Sequence, residues 1–201
     1  MNKIKMCGLS RIEDIEAANA IKPDYIGFVF AKKSRRYISY EKAAELKKLL
    51  DPGIKAVGVF TDPTISDIEE LVQKRIVDLV QLHGTESESF TKAVKTICKC
   101  PVIRTYKIAT KEDVTAAENS CADYILLDSG AGTGKVFDWE LLKDIRRPYF
   151  LAGGLNPENV RSAVEKLDPF CVDVSSGIET NGKKDKNKME AFSKAVGKEE
   201  Q

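Results

Sequence analysis

The chain has a single histidine, and its five cysteines are an odd number. One histidine excludes a His-rich metal centre, and no Cys pair stands ready to complete a zinc site. Cys98 and Cys100 are one residue apart, which is neither a redox Cys-x-x-Cys nor a zinc-knuckle spacing. An odd set without paired spacing argues against a disulfide framework, so a reducing, cytoplasmic setting is expected. Charge of one sign is also missing: 32 Lys and Arg stand against 31 Asp and Glu. No net field therefore points to nucleic acid or to an acidic lipid surface as a partner. No apolar run approaches the roughly 18 residues of a membrane span. The N-terminus lacks the apolar stretch of a signal peptide. There is no Gly-x-Gly-x-x-Gly after the first strand, no Walker spacing and no Gly-x-Ser-x-Gly elbow. What remains is a chain with 42% apolar content and a mean hydropathy of −0.29. Those values suit a soluble globular protein, and 201 residues suit one domain over 1–201 with a sizeable core.

The pattern is a regular alternation of strands and helices. Residues 3–9 read Lys-Ile-Lys-Met-Cys-Gly-Leu. They fit a short strand that ends in a tight turn, with Lys3, Lys5 and Cys7 on one face and Ile4 and Met6 on the other. Ser10 and Glu13 have capping-box spacing for the helix that follows, and Pro23 ends it. Residues 25–30 are apolar on both faces, as in a strand covered from both sides. Further strands are expected at 55–60, 79–82, 101–106, 124–128, 149–152 and 171–174. Helices are expected at 40–50, 65–73, from 87 or 88, and at 111–119, 140–145, 158–166 and 189–196. A polar segment, 179–188, precedes the last of them. The strands recur about every 24 residues, and each is followed by a helix. Eight such units close into a parallel (β/α)8 TIM barrel without edge strands. A doubly wound open sheet is the competing fold, disfavoured by the missing glycine fingerprint and the regular eighth unit.

In such a barrel the strand C-termini converge on one face. There the sequence puts Cys7, Arg35 or Arg36, His83, Asp128, Gly153, Gly154, Asp173, Ser175, Ser176 and Gly177. Strand eight lies beside strand one, which makes Asp173 a neighbour of Cys7. Gly153-Gly154 and Ser175-Ser176-Gly177 follow strands seven and eight, where this fold holds phosphate on backbone N–H groups and a helix N-terminus. The glycine-rich loop 129–135 beside Asp128 suits a mobile lid. His83 lines the mouth, and a lone histidine is more often structural than catalytic. Lys32-Lys33 and Lys183-Lys184 read as solvated faces.

Taken in order, these pieces resemble a known family. They are Lys5-Met6-Cys7-Gly8, Gly27-Phe28-Val29-Phe30 with Ser34-Arg35-Arg36-Tyr37-Ile38, Gly58-Val59-Phe60, and Gln81-Leu82-His83-Gly84. Asp128 with Gly132-Thr133-Gly134-Lys135 and Phe137-Asp138-Trp139 continues the set. Leu151-Ala152-Gly153-Gly154-Leu155 with Asn159-Val160, then Val172-Asp173-Val174-Ser175-Ser176-Gly177, complete it. Together they resemble the phosphoribosylanthranilate isomerases of tryptophan biosynthesis. Met6 stands where isoleucine is usual, and the loop after Asp128 is shorter than in many members.

The resemblance implies an Amadori rearrangement of N-(5-phosphoribosyl)anthranilate to 1-(2-carboxyphenylamino)-1-deoxyribulose 5-phosphate, without cofactor or metal. It implies Cys7 as general base, Asp128 as general acid and Arg36 as the anchor for the anthranilate carboxylate. A carboxylic acid can protonate the ring oxygen if its pKa is raised from about 3.9, and a thiolate can take the C2 proton. A free thiol titrates near about 8.5, so a lowered value is expected at Cys7. Lys5 could supply the positive charge, or it could pair with Asp173. The family includes monomers and dimers, so either is compatible. The alternatives are another phosphosugar enzyme on the same barrel, or a non-catalytic phosphosugar-binding protein. An indole-glycerol-phosphate synthase would need acid–base residues where Phe30 and Phe60 stand, and a pentose-phosphate epimerase would need more than one histidine.

Overall fold

The computed structural model describes residues 2–128, 139–143 and 145–197. Eight parallel strands close in sequence order, each paired with its neighbours and β8 with β1. They are β1 (Lys3–Cys7), β2 (Tyr25–Val29), β3 (Lys55–Phe60), β4 (Leu79–Leu82), β5 (Val102–Lys107), β6 (Tyr124–Asp128), β7 (Tyr149–Ala152) and β8 (Cys171–Val174). Helices α1 (Ile12–Ile21), α2 (Tyr40–Leu49), α3 (Ile65–Gln73), α4 (Glu88–Cys98), α5 (Lys111–Glu118), α6 (Val160–Leu167) and α7 (Lys186–Val196) cover the outside. This is the expected (β/α)8 barrel.

The two faces of each strand build two separate cores, as a two-residue period requires. Ile4, Met6, Ile26, Phe28 and Val80 face outward and pack against the helices. Cys7, Val57, Leu79, Ile103, Leu126 and Cys171 face the interior. The foot of the interior is plugged by aromatic rings. Tyr25 and Tyr124 lie 5.5 and 5.8 Å from Phe150, and Phe170 stacks on Tyr124 at 5.3 Å. Lys3 Nζ lies 4.8 Å from the Phe170 ring centroid. With the foot closed, polar chemistry is confined to the strand C-termini.

A repeated device fixes the foot. Asp24, Asp78 and Asp123 each stand just before an even-numbered strand. Their carboxylates accept the N–H of Ile4, Ala56 and Val102, at the start of the preceding odd strand, at 2.9, 2.7 and 2.9 Å. Lys47 and Lys95, from α2 and α4, close ion pairs with Asp78 and Asp123. At the buried foot of a closed barrel an early strand N–H has no water to meet, so the carboxylate supplies the acceptor. Asp78→Ala would leave the Ala56 N–H without its partner. We expect a loss of about 1–3 kcal/mol, read as a lower urea midpoint with unchanged slope.

Three local expectations are corrected. The first helix is not capped by Ser10: the buried Asp14 carboxylate reaches back to accept the N–H of Ser10 at 2.9 Å and of Arg11 at 3.1 Å, so α1 begins at Ile12. The helix expected at 140–145 is a single 3-10 turn, Trp139–Leu142, because Arg147-Pro148 must already turn the chain into β7. The last helix begins at Lys186 rather than at 189, inside the polar segment 179–188, and that segment is also folded upstream of it. It contains a two-stranded hairpin, β9 (Glu179–Thr180) and β10 (Lys183–Lys184), and then the first turn of α7, whose N-cap Asp185 accepts from Asn187 and Lys188.

Candidate active site

β1 carries two site residues on its inward face. Lys5 is fully buried in the barrel, and its Nζ donates to Asp173 Oδ1 at 2.9 Å. Registry brings them together, since Lys5 and Asp173 are paired partners between β1 and β8. Two residues on, Cys7 reaches the mouth with 8% of its surface exposed. Its sulfur lies over β2, where a Cβ added at Gly27 would come within 2.7 Å of it. Gly8 follows with φ +82°. It turns the chain and leaves room for Arg36, whose Cδ would overlap a Cβ at that position. Glycine is thus required at two points for Cys7 and Arg36 to share one corner of the mouth.

Arg36 is held from behind by Glu179. Its Nε and Nη2 donate to the two carboxylate oxygens at 2.6 and 3.0 Å, a side-on fork. That grip uses one edge of the guanidinium; its Nη1–Nη2 edge points elsewhere. Arg35 also donates to Glu179, at 2.7 Å, but its side chain is 61% exposed against 22% for Arg36. The half-buried Arg36 is the better-fixed of the two.

Asp128 ends β6, three strands from Cys7 by way of β7 and β8, paired in register with Lys107 on one side and Ala152 on the other. The loop 129–135, and Phe137 and Asp138 after it, lie outside the described residues. His83 follows β4. Its Nδ1 lies 3.2 Å from Gln81 Nε2 and 3.1 Å from Thr105 Oγ1. Both contacts fall on Nδ1, and Nε2 is the ring nitrogen they do not engage. Burial, above all, lowers the pKa of His83, and the Asp128 charge opposes it. The Lys5–Asp173 pair acts on the same ring.

Gly153 and Gly154 leave β7 with φ of +96° and +62°. Ser175 leaves β8, and Ser176–Ile178 forms one 3-10 turn. The two loops touch: a Cβ on Gly177 would overlap the Leu155 carbonyl oxygen. Asn159 Nδ2 pins the first loop through the Gly154 carbonyl at 3.0 Å. Every expected site residue therefore lies within the barrel or at its C-terminal mouth.

One electrostatic expectation is overturned. The Cys7 pKa is raised, not lowered. Burial is the main cause, and Asp173 adds to it. Lys5 and Lys184 pull the other way without prevailing. Full burial likewise works against the charge on Lys5, yet Asp173 and then Cys7 hold its pKa above the ordinary lysine value. Lys5 is thus locked to Asp173 and still favours the thiolate more than any other charge, but burial of the thiol outweighs it.

Comparison with known proteins decides the family. The model of the N-(5'-phosphoribosyl)anthranilate isomerase family matches residues 4–195. The chain belongs to that family. It is 47% identical over 194 residues to an N-(5'-phosphoribosyl)anthranilate isomerase of Endomicrobium trichonymphae, across 94% of this chain and 95% of the relative. It superposes with a TM-score of 0.88, at 37% identity and 98% coverage of each chain, on a phosphoribosylanthranilate isomerase. That protein was solved with reduced 1-(o-carboxyphenylamino)-1-deoxyribulose 5-phosphate. Monomers generated from the dimeric isomerase of Thermotoga maritima superpose with a TM-score of 0.87, at 37% identity and 98% coverage of each chain. As a member of this family the chain is an aldose–ketose isomerase of tryptophan biosynthesis.

Beside these candidate site residues stand two that the sequence reading missed. Glu179 and Lys184 are buried on the inner side of the β9–β10 hairpin, as register partners, and ion-paired at 2.8 Å. Lys183 is exposed, as expected, but Lys184 is not a solvated lysine. The available signal was Asn181-Gly182, whose φ values of +52° and +75° make a tight hairpin turn. A hairpin there puts alternate residues inward. Gln81, quoted in the sequence only as part of Gln81-Leu82-His83-Gly84, is buried in the interior, where it donates to Thr105 Oγ1 at 3.2 Å.

Proposed function

We propose that Cys7 is the general base and Asp128 the general acid of an Amadori rearrangement of N-(5-phosphoribosyl)anthranilate. Asp128 delivers a proton to the furanose ring oxygen as the C1–O bond breaks. The nitrogen lone pair forms the C1=N bond of the Schiff base. The Cys7 thiolate then takes the C2 proton. The C2–H electron pair becomes a C1=C2 bond, and the C=N pair returns to nitrogen. The enolamine tautomerises to the ketose. The observation that carries this reading is Cys7 at the mouth of the barrel, across from Asp128, with an arginine fork beside it and a pair of glycine-rich loops between them.

Arg36 takes the anthranilate carboxylate on its Nη1–Nη2 edge, since Glu179 already engages Nε and Nη2. The phosphate rests on backbone N–H groups of Gly153, Gly154, Ser175, Ser176 and Gly177. The small radius of the glycines and the two left-handed φ values support that cradle. His83 turns Nε2, the nitrogen not engaged by Gln81 and Thr105, to a substrate oxygen, and the Lys5–Asp173 pair forms the floor. The Thermotoga maritima relative is dimeric.

The test is loss of phosphoribosylanthranilate fluorescence on addition of the pure protein. Arg36→Ala should raise KM at least tenfold and change kcat less, since a lost charged hydrogen-bond pair is worth about 1.5–3 kcal/mol. No turnover by the folded wild-type protein would sink the assignment. A silent Arg36→Ala with a damaging Arg35→Ala would move the anchor by one residue.

A further inference from the structure

The corner of the mouth that holds Cys7 and Arg36 rests on the β9–β10 hairpin, for which the reaction above has no role. Its centre is the Lys184 ammonium, with 2% of the side chain exposed. The three protons of Lys184 Nζ go to Glu179 Oε1 at 2.8 Å, to the Ser175 carbonyl at 2.9 Å and to Ser175 Oγ at 3.3 Å. Ser175 Oγ in turn donates to the Cys7 carbonyl oxygen at 3.0 Å. Arg11, from the start of α1, donates to the Lys184 carbonyl at 2.8 Å and ties the hairpin down. A continuous chain of hydrogen bonds therefore runs from Glu179, the residue that grips Arg36, to the backbone of Cys7.

The charge count matters as much as the geometry. Lys5 is paired with Asp173, yet it is still the strongest charge favouring an anion at Cys7; Lys184 is the second cation there. Glu179 is a single carboxylate facing three cations, Arg35, Arg36 and Lys184. Arg35 is largely in water, so its contribution is screened. Arg36 and Lys184 are the better shielded from solvent, and against Glu179 they leave one net positive charge in this corner. A buried lysine that served packing alone would be a costly choice, because apolar residues often fill such a place at no loss of stability. An uncancelled positive charge in a buried corner favours an anion beside it. The base formed at Cys7 is such an anion, and the substrate carboxylate on Arg36 is the other.

We propose that Lys184 is a positioning residue of the reaction: it fixes the Cys7 strand end through Ser175 and stabilises the thiolate when the base forms. The groups that face Cys7 are Lys5 on its own strand, Asp173 on β8 and Lys184 on β10. Arg36, from the loop after β2, packs against Gly8 next in sequence, and Glu179 on β9 engages Arg36 and Lys184. Of the two lysines, Lys5 is matched one-to-one by Asp173, whereas Lys184 shares its carboxylate with two arginines. Removal of Lys184 should therefore shift the balance at Cys7 toward the neutral thiol.

This inference rests on Cys7 being the base, and its test separates the two ideas. Lys184→Met removes charge and hydrogen bonds, Lys184→Gln keeps a donor without charge, and Lys184→Arg keeps the charge. For each, kcat and KM are measured across pH, together with the pH dependence of Cys7 alkylation by iodoacetamide, located by peptide mapping. In Lys184→Met and Lys184→Gln we expect the acid limb of kcat/KM and the alkylation curve to move together to higher pH by about one unit. At pH 7 that is about a tenfold loss in kcat, with KM changed less than threefold. Lys184→Arg should recover most of the loss. If Lys184→Met does not fold, Lys184→Gln decides alone. A uniform loss at every pH, with the alkylation curve unmoved, would overturn the proposal and leave Lys184 a structural residue. An active Cys7→Ser protein would instead overturn the assignment of the base.

Discussion

Cys7→Ser should fold normally and lose at least about 10²–10⁴-fold in kcat, the usual contribution of a positioned acid–base group. Serine is nearly the size of cysteine, and its hydroxyl would occupy the same space over Gly27. It does not ionise in the range where a thiol does, so the proton acceptor vanishes while the packing stays. The pH profile carries more information. Burial pushes the Cys7 thiol up, and Lys5 and Lys184 offset that only in part. A base whose pKa is raised is mostly protonated at neutral pH and gains its active form as pH rises. The kcat/KM of the wild-type protein should therefore still be climbing between pH 7 and pH 9, with no plateau at neutrality. A plateau reached by pH 7 would mean that the base titrates below the free thiol, contrary to the buried environment. Near-normal turnover of a folded Cys7→Ser protein would remove the thiol from the chemistry.

This raised thiol also marks where sequence reading stopped. The strand 3–7, its alternation and the position of Cys7 at its end were legible, because a period of two and a following glycine require no tertiary knowledge. The same held for Asp128 at the end of an apolar run, and for the loops after β7 and β8. Net electrostatics at Cys7 were not legible. They depend on Lys5 being paired with Asp173 across 168 positions of sequence, and on how deeply both are buried. Glu179 and Lys184 were missed for a related reason. In a segment with charges at 179, 183, 184, 185, 186 and 188, every charged residue reads as solvated. Only the Asn181-Gly182 turn distinguishes the two that point inward from the four that do not. Unit six differed because regular spacing implied a helix at 140–145, where the described residues hold one 3-10 turn, Trp139–Leu142.

The acid can be isolated by a different comparison. Asp128→Asn keeps nearly the same shape at the end of β6 but has no carboxyl proton to give. Ring opening needs that proton on the ring oxygen, so kcat should fall by about 10²–10⁴-fold. Binding of a ligand that is already open should not follow. Reduced 1-(o-carboxyphenylamino)-1-deoxyribulose 5-phosphate has no ring to open. Its affinity should stay within about threefold of wild type, because Arg36 and the phosphate loops are untouched. Loss of both turnover and this affinity would mean that Asp128 holds the substrate rather than protonates it. The nearest rival acid is His83. Burial favours its neutral form, and its Nδ1 is occupied by Gln81 and Thr105. A neutral imidazole can donate a hydrogen bond but gives up its ring proton reluctantly. His83→Gln, which keeps a donor, should therefore cost less than Asp128→Asn, and it should raise KM along with lowering kcat. Should His83→Gln abolish turnover while Asp128→Asn remains active, the acid would be the histidine and the carboxylate its support.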